Sequence, residues 1–290
     1  MVTATEAREA NEQYREEGYA IVRGFVAGDD LARLQAEAAT IYEEGLKHHA
    51  TFRHGNLRFE ILPESHFGRR YVTQAHWMSW ISPYFEAFRR SDDIYCLLEG
   101  LLGRDIKQVA QQIHWKPPGA DLTGYRFHQD LRFRPDGALD AVADSSVTLG
   151  LAIDRATAEN GCLRVVPGSH KRGYLGLSDE GDGALMKGKT GEDELREVGI
   201  DPAEIVALEL EPGDLAIWGL LTVHGSAANR SARDRAFLLS SYVRAEASER
   251  GEWAFKDGLS VPLGESPKLC KDDRLLTEPG PVYETAAWWA

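Results

Sequence analysis

The sequence predicts a mainly β fold with flanking helices, its core a double-sheet jelly roll. Three observations predict it. From about residue 106 the chain breaks into short β-prone segments separated by Gly and Pro turns. Helical periodicity is concentrated before that point. The 290 residues are 43% hydrophobic, enough for a sizeable core, and closed β architectures of this length are common as one domain. The expected organisation is one domain over 1–290, with an N-terminal helical wrap over about 1–105, the jelly-roll core over about 106–250 and a tail over about 251–290.

In chain order, Glu6, Ala7, Ala10 and Tyr14 predict a helix over 5–17, and Tyr19-Ala20-Ile21-Val22 a short strand. Asp29-Asp30 offers an N-cap for a helix over 29–47, with Leu31, Leu34, Ala38 and Ile41 at helical spacing. Residues 50–75, rich in Arg, His and aromatics, lack a clean period and read as irregular structure near a cleft. A helix from Tyr84 to Leu102 buries Phe85, Phe88, Tyr95 and Leu98 and ends at Gly103. Val109 to Trp115 alternates, placing Gln112 and His114 on one face, and Pro117-Pro118-Gly119 ends it. Further strands are expected over Ser146 to Ile153, Cys162 to Val166, Ile205 to Leu210, Asp214 to Trp218 and Ala236 to Val243. Residues 176–200 are charged and glycine-rich and read as a mobile loop, a candidate lid. The Trp288-Trp289 pair calls for burial, either against the domain or against a subunit partner in a homo-oligomer.

Composition excludes several classes. A net charge of −13 argues against a general nucleic-acid binder. No apolar run approaches the roughly 20 residues that span a bilayer, and the N-terminus lacks a basic and an apolar region, so no membrane partner is expected. Three widely spaced cysteines, Cys96, Cys162 and Cys270, make no framework and point to a reducing, cytoplasmic setting.

The chemistry concentrates in His128, Asp130 and His224, followed by Arg235. Residues i and i+2 of a strand point to one side, so His128 and Asp130 can face one ion while Gln129 points away, with His224 supplied by a neighbouring strand. Two imidazoles and one carboxylate on a face of an octahedron leave three positions open, as a non-haem Fe(II) oxygenase needs. Arg235 is a fixed cation suited to a bidentate grip on a carboxylate. An isolated His-x-Asp recurs by chance as a hydrogen-bonded pair; four placed residues outweigh that reading.

Six segments carry a family resemblance: Lys116-Pro117-Pro118, His128-Gln129-Asp130-Leu131, Asn160-Gly161-Cys162-Leu163, Val166-Pro167-Gly168-Ser169-His170, Pro212-Gly213-Asp214 and His224-Gly225-Ser226, with Arg235 eleven residues after His224. With the pattern Glu17-Gly18-Tyr19 to Gly24-Phe25-Val26, the chain over roughly 12–245 resembles the phytanoyl-CoA dioxygenase family of Fe(II)/2-oxoglutarate-dependent oxygenases. The resemblance implies a double-stranded β-helix, cupin-like core. It implies His128, Asp130 and His224 as ligands of Fe(II), with Arg235 and Ser226 on the distal carboxylate of 2-oxoglutarate. Gln112 and His114 match positions that face this cosubstrate. Dioxygen would be the oxidant, and the expected outcome is hydroxylation of an unactivated C–H bond in a small molecule, with succinate as coproduct. Desaturation, ring closure or epimerisation are open to the same chemistry. The intact Asp130 argues against halogenation, which in relatives accompanies loss of that carboxylate. Some members carry an aromatic near Gly150; the glycine leaves space there.

Other residues divide between bland and functional readings. His170 is expected to be structural, and Trp77 and Trp80 core. Arg53, Arg58, Arg69 and Arg70 form a cluster that is ordinarily a solvated face, yet Arg69 and Arg70 are candidates for recognising a polar or anionic substrate. Trp218 and Arg132 are candidates for lining the pocket. A cupin-like metal enzyme without 2-oxoglutarate, such as an isomerase or cofactor-free dioxygenase, is one alternative. A non-catalytic metal- or ligand-binding protein is another. Neither accounts for the downstream His-Gly-Ser and Arg pattern.

Overall fold

The fold is that of a computed structural model, which describes residues 2–62, 64, 68–119, 123–133, 143–177, 191–268 and 278–284. Helix α1 (Ala4–Glu17) starts at a Thr3–Glu6 capping box and stops at Gly18, whose φ of 80° closes the last turn. Strand β1 (Tyr19–Val22) and helix α2 (Gly28–Leu46) follow. The N-cap of α2 is Ala27, without a side-chain cap; Asp29 and Asp30, expected to cap it, sit in the first turn at the positive end of the helix dipole.

Residues 50–75, expected from their sequence to be irregular, are largely strand. They form β2 (Phe52–His54), β3 (Leu57–Leu62) and β4 (Tyr71–His76). Charged residues masked the strand period, because Arg58 and Glu60 alternate with the fully buried Phe59 and Ile61. The helix expected from Tyr84 to Leu102 is two: α3 (Pro83–Phe88) and α4 (Asp92–Leu102). Ser91 accepts from the Ile94 N–H and restarts the helix. Arg89 is fully buried at the break, donating to the carbonyls of Trp253 (2.8 Å) and Val261 (3.1 Å).

The remaining strands are β5 (Ile106–Lys116), β6 (Tyr125–His128), β7 (Ser146–Ala152), β8 (Leu163–Val165), β9 (Val206–Leu208), β10 (Leu215–Gly219), β11 (His224–Ser226), β12 (Arg235–Arg244), β13 (Glu252–Lys256), β14 (Leu259–Ser260) and β15 (Val282–Tyr283). Short α5 (Glu192–Glu197) precedes β9. It replaces the end of the stretch read as a loop over 176–200. Residues 178–190 of that stretch, Cys270 and the Trp288-Trp289 pair lie outside the described residues.

Among the described residues there are two antiparallel sheets. The larger has the order β1-β10-β7-β12-β5-β4-β3-β2-β15, with β13 also on β5; the smaller is β6-β11-β8-β9. The larger sheet therefore draws strands from the wrap, the core and the tail. It is covered on both faces, so β7 and β10 are buried along their whole length. Leu149, Leu151, Leu215 and Ile217 pack in one core with Leu34 and Ile41 of α2 and Leu97 and Leu98 of α4. On the opposite face Ala152, Ala216, Trp218 and Phe237 pack against Leu163, Val165 and Leu208 of the smaller sheet. Burying such side chains stabilises by about 1.5–3 kcal/mol each. The jelly-roll expectation is borne out, and the space between the two sheets holds the site. No described helix is long and apolar enough to cross a membrane.

Candidate metal centre and cation pocket

Strand β6 ends at His128, and Asp130 opens a 3-10 turn over Asp130–Phe133. The two residues are therefore not on one strand, as their spacing suggested. The chain turns at Gln129, and the turn brings the carboxylate back toward the imidazole. Gln129 does point away: its amide donates to the carbonyls of Gly173 (2.8 Å) and Leu221 (2.7 Å), and its oxygen accepts from the Leu175 N–H. That fully buried anchor fixes the turn. His224 opens β11 and lies directly across the register from His128, with ring centroids 4.2 Å apart.

The ligating atoms converge. Asp130 Oδ1 is 3.5 Å from His128 Nε2 and 3.6 Å from His224 Nε2. Each Nδ1 meets a backbone carbonyl instead, Arg126 O for His128 (2.8 Å) and Thr222 O for His224 (2.9 Å). A carbonyl only accepts, so each Nδ1 carries the proton and each Nε2 presents its lone pair inward. Burial, then the neighbouring His128, push the His224 imidazole down to about 4, so it is unprotonated at neutral pH. Burial pushes Asp130 the other way, but the two imidazoles and the Trp218 N–H outweigh it and hold its carboxyl well below the usual range. The three residues form a group able to hold a metal ion, with two neutral donors and one anionic donor on one side.

The other end of the inter-sheet space is cationic. Arg235, first in β12, pairs across the register with Lys116, last in β5. Both are buried, at 3% and 2% exposure. Lys116 Nζ donates to Ser226 Oγ (2.6 Å), Ala227 O (2.6 Å) and Gly161 O (3.3 Å). Arg235 Nη2 also donates to Gly161 O, and its Nε is buried with no partner among the described residues. Gly161 has a φ of +75°, and a Cβ there would run into the Ala227 carbonyl, so only glycine brings this oxygen to both cations. Neither cation meets a carboxylate within ion-pair distance among the described residues. Burial pulls Arg235 down to about 10 and Lys116 well below its ordinary value, the latter with help from Arg235. Because Lys116 donates to Ser226 Oγ, the seryl hydrogen is free to donate elsewhere. Two desolvated cations and a spare hydroxyl are a socket for an anion. The distal carboxylate of 2-oxoglutarate fits it.

Between these ends a hydrogen-bond chain has a fixed direction. Gln74 Nε2 donates to Tyr125 Oη (2.9 Å), so the tyrosyl proton goes to His114 Nδ1 (2.9 Å). His114 Nε2–H then donates to Gln112 Oε1 (2.7 Å), which leaves the Gln112 amide N–H groups for a ligand. Burial holds His114 well below its ordinary value and keeps it neutral, as this chain requires.

The expected site residues thus separate. His128, Asp130, His224 and Trp218 come together; Trp218 Nε1 donates to Asp130 Oδ2 at 3.3 Å. Arg235, Ser226, His114 and Gln112 line the same inter-sheet space. Arg132 follows Asp130 on the 3-10 turn and is half-buried. Arg69 stacks over Tyr71 at 4.3 Å beside Asp234 and Tyr42, on the side of the sheet covered by α2, and Arg70 donates to the His48 carbonyl. Arg53 and Arg58 are tied to Glu284 and Glu60. His170 binds the Arg15 carbonyl (3.1 Å), a structural role. Space at Gly150 is filled by the rings of Trp218 and Phe237. Sequence reasoning missed Lys116 and Tyr125. Lys116 shares the two-residue period of Gln112 and His114, a readable signal; Tyr125 has none, because its role depends on a cross-strand meeting.

The comparisons with known proteins agree with this geometry. The family model described as Phytanoyl-CoA dioxygenase (PhyH) matches residues 14–237. The chain belongs to the phytanoyl-CoA dioxygenase family. Among its relatives is a dioxygenase, lolE1, of Epichloe uncinata, 30% identical over 74% of this chain and 73% of that protein. A probable alpha-ketoglutarate-dependent hypophosphite dioxygenase of Stutzerimonas stutzeri is 32% identical over 57% of this chain, and the match spans 55% of that relative's length. The apoform of EctD from S. alaskensis shares the fold, with a TM-score of 0.64 at 20% identity over 93% of this chain and 86% of that one. The family is the one the sequence motifs led one to expect, and the Epichloe and Stutzerimonas relatives are themselves dioxygenases by name.

Proposed function

We propose that this family member uses Fe(II), 2-oxoglutarate and dioxygen to hydroxylate a C–H bond of a small polar, anionic metabolite. One observation carries the reading: two imidazole lone pairs and a carboxylate converge at one end of the space, and two buried cations with no carboxylate at ion-pair distance among the described residues stand at the other. Iron in the His128–Asp130–His224 site would supply oxygen activation coupled to decarboxylation of 2-oxoglutarate. The protein's own part is binding and orientation. Arg235, Lys116 and Ser226 would grip the distal carboxylate, which fixes how the cosubstrate reaches the metal end. Gln112 would offer its amide hydrogens to the bound ligand. Trp218 and Phe237 give the metal end an apolar wall, with the Trp218 ring beside His224.

The anionic substrate class is supported by the relative named for hypophosphite and by Arg132, the arginine next to the metal group. Arg69 and Arg70 enter this proposal only for a substrate large enough to extend beyond the sheet. Cys96 and Cys162 are free thiols, in keeping with a reducing cytoplasmic setting. The test is succinate formation from 2-oxoglutarate, measured with Fe(II) and ascorbate across a panel of small phosphorus oxyanions, phosphonates, carboxylates and neutral analogues. Stimulation by an anionic member, lost in Arg132→Ala with unstimulated turnover retained, supports the reading. Stimulation only by neutral compounds would remove the anionic class.

A further inference from the structure

Trp218 does more than line a pocket. It sits on β10, 2% exposed, opposite Thr148 of β7 and Tyr19 of β1. Its ring lies 5.5 Å, centroid to centroid, from that of His224. Its indole Nε1 points at Asp130 Oδ2, while Asp130 Oδ1 faces both imidazole Nε2 atoms. The carboxylate is thus divided: one oxygen toward the metal position, the other held by an N–H.

That division depends on a neighbour. Gly150 is on the adjacent strand, across the register from Ala216, and its side-chain position faces the inter-sheet space. A Cβ built there would come to 2.6 Å from Trp218 Cζ3 and 2.7 Å from Phe237 Cε1 and Cζ, distances that real Cβ atoms do not tolerate. Any side chain at position 150 would have to displace the indole, the Phe237 ring or both. The absent side chain is the cradle for the tryptophan.

We infer that Trp218 is a positioning residue of the metal centre: its N–H holds the outer oxygen of Asp130 so that the carboxylate offers one oxygen to the metal, and Gly150 exists to let it do so. This rests on the iron reading of the site. A carboxylate free to rotate would present both oxygens, fill an additional position and compete with the cosubstrate or dioxygen for it. A single N–H donor to the outer oxygen suppresses that rotation, and such outer partners typically change metal affinity by 10–100-fold when removed. At 3.3 Å the bond is long, so about tenfold is expected here.

The test uses the full chain with Fe(II) under anaerobic conditions, read by chelator competition and by the visible charge-transfer band of the 2-oxoglutarate complex. Trp218→Phe keeps most of the ring and removes the N–H. It should weaken Fe(II) binding about tenfold and shift the band, while the affinity for 2-oxoglutarate at saturating iron stays within twofold. Gly150→Ala should weaken Fe(II) with the indole still present. The double variant should be no worse than the weaker single one, since both act on one bond. Wild-type iron affinity and an unshifted band in Trp218→Phe would overturn the inference, as would losses that add fully in the double variant. If the wild-type protein itself formed no band, the iron reading would fail instead, and the two failures are distinguished by that control. Thermal melts of each variant identify any that do not fold; Trp218→Phe, the gentler change, then decides.

Discussion

The two ends of the inter-sheet space are built on opposite electrostatic plans. At the metal end the outer atoms are anchored, each Nδ1 by a carbonyl and Asp130 Oδ2 by an indole, while two Nε2 lone pairs and Oδ1 converge on the metal position. At the other end Arg235 and Lys116 are buried side by side with carbonyls and a hydroxyl, and with no carboxylate at ion-pair distance among the described residues. A cluster whose outer atoms are anchored keeps its geometry when empty. A pair of desolvated cations is a standing penalty that only a bound anion offsets. The difference teaches which end is preorganised and which end gains from its ligand.

The largest expected effect breaks the metal end alone. His224→Ala removes one of three donors and should abolish Fe(II) binding and turnover, read by metal analysis and succinate assay, while the Tm rise caused by 2-oxoglutarate without metal persists in reduced form. Next comes the cationic end. Arg235→Ala should raise the 2-oxoglutarate KM by about 100-fold, roughly 3 kcal/mol of charge-assisted hydrogen bonding, and leave Fe(II) affinity unchanged. An equal loss at both ends in either variant would dissolve the comparison.

A third prediction concerns the wall between strands β3 and β4. Burial would raise the Glu60 carboxyl, but His76 and Arg58 outweigh it and hold it at about 2. The folded value lies below the unfolded one, near 4.5, so this contribution is complete above about pH 4.5 and is lost as pH falls toward 2. Glu60→Gln should lower the Tm at pH 7 and flatten its pH dependence between those limits, measured by thermal melts. The smallest effect is expected from Tyr125→Phe. It unlocks the His114 tautomer and should raise the 2-oxoglutarate KM about threefold to tenfold with little change in kcat.

Much of this was legible in the sequence. The convergence of His128, Asp130 and His224 was readable because a metal group needs these residue types at a recognisable spacing. The β5 face was readable because Gln112 and His114 share a two-residue period. Strands β2 to β4 were not, because Arg58, Glu60, Gln74 and His76 place polar groups on a face that ion pairing and hydrogen bonding, not apolarity, make buryable. The turn at Asp130 was missed for a related reason: it is held by Gln129 reaching Gly173 and Leu221, contacts that no local pattern encodes. Trp218 was read as pocket lining because its N–H partner is 88 residues away.

The most direct measurement is anaerobic addition of Fe(II) and then 2-oxoglutarate to the purified protein, followed by visible absorption. The account predicts a weak charge-transfer band that appears only with both present, is absent in His224→Ala, and in Arg235→Ala returns only at far higher 2-oxoglutarate. Iron bound without that band would contradict it and favour a cupin-like metal enzyme that does not use 2-oxoglutarate.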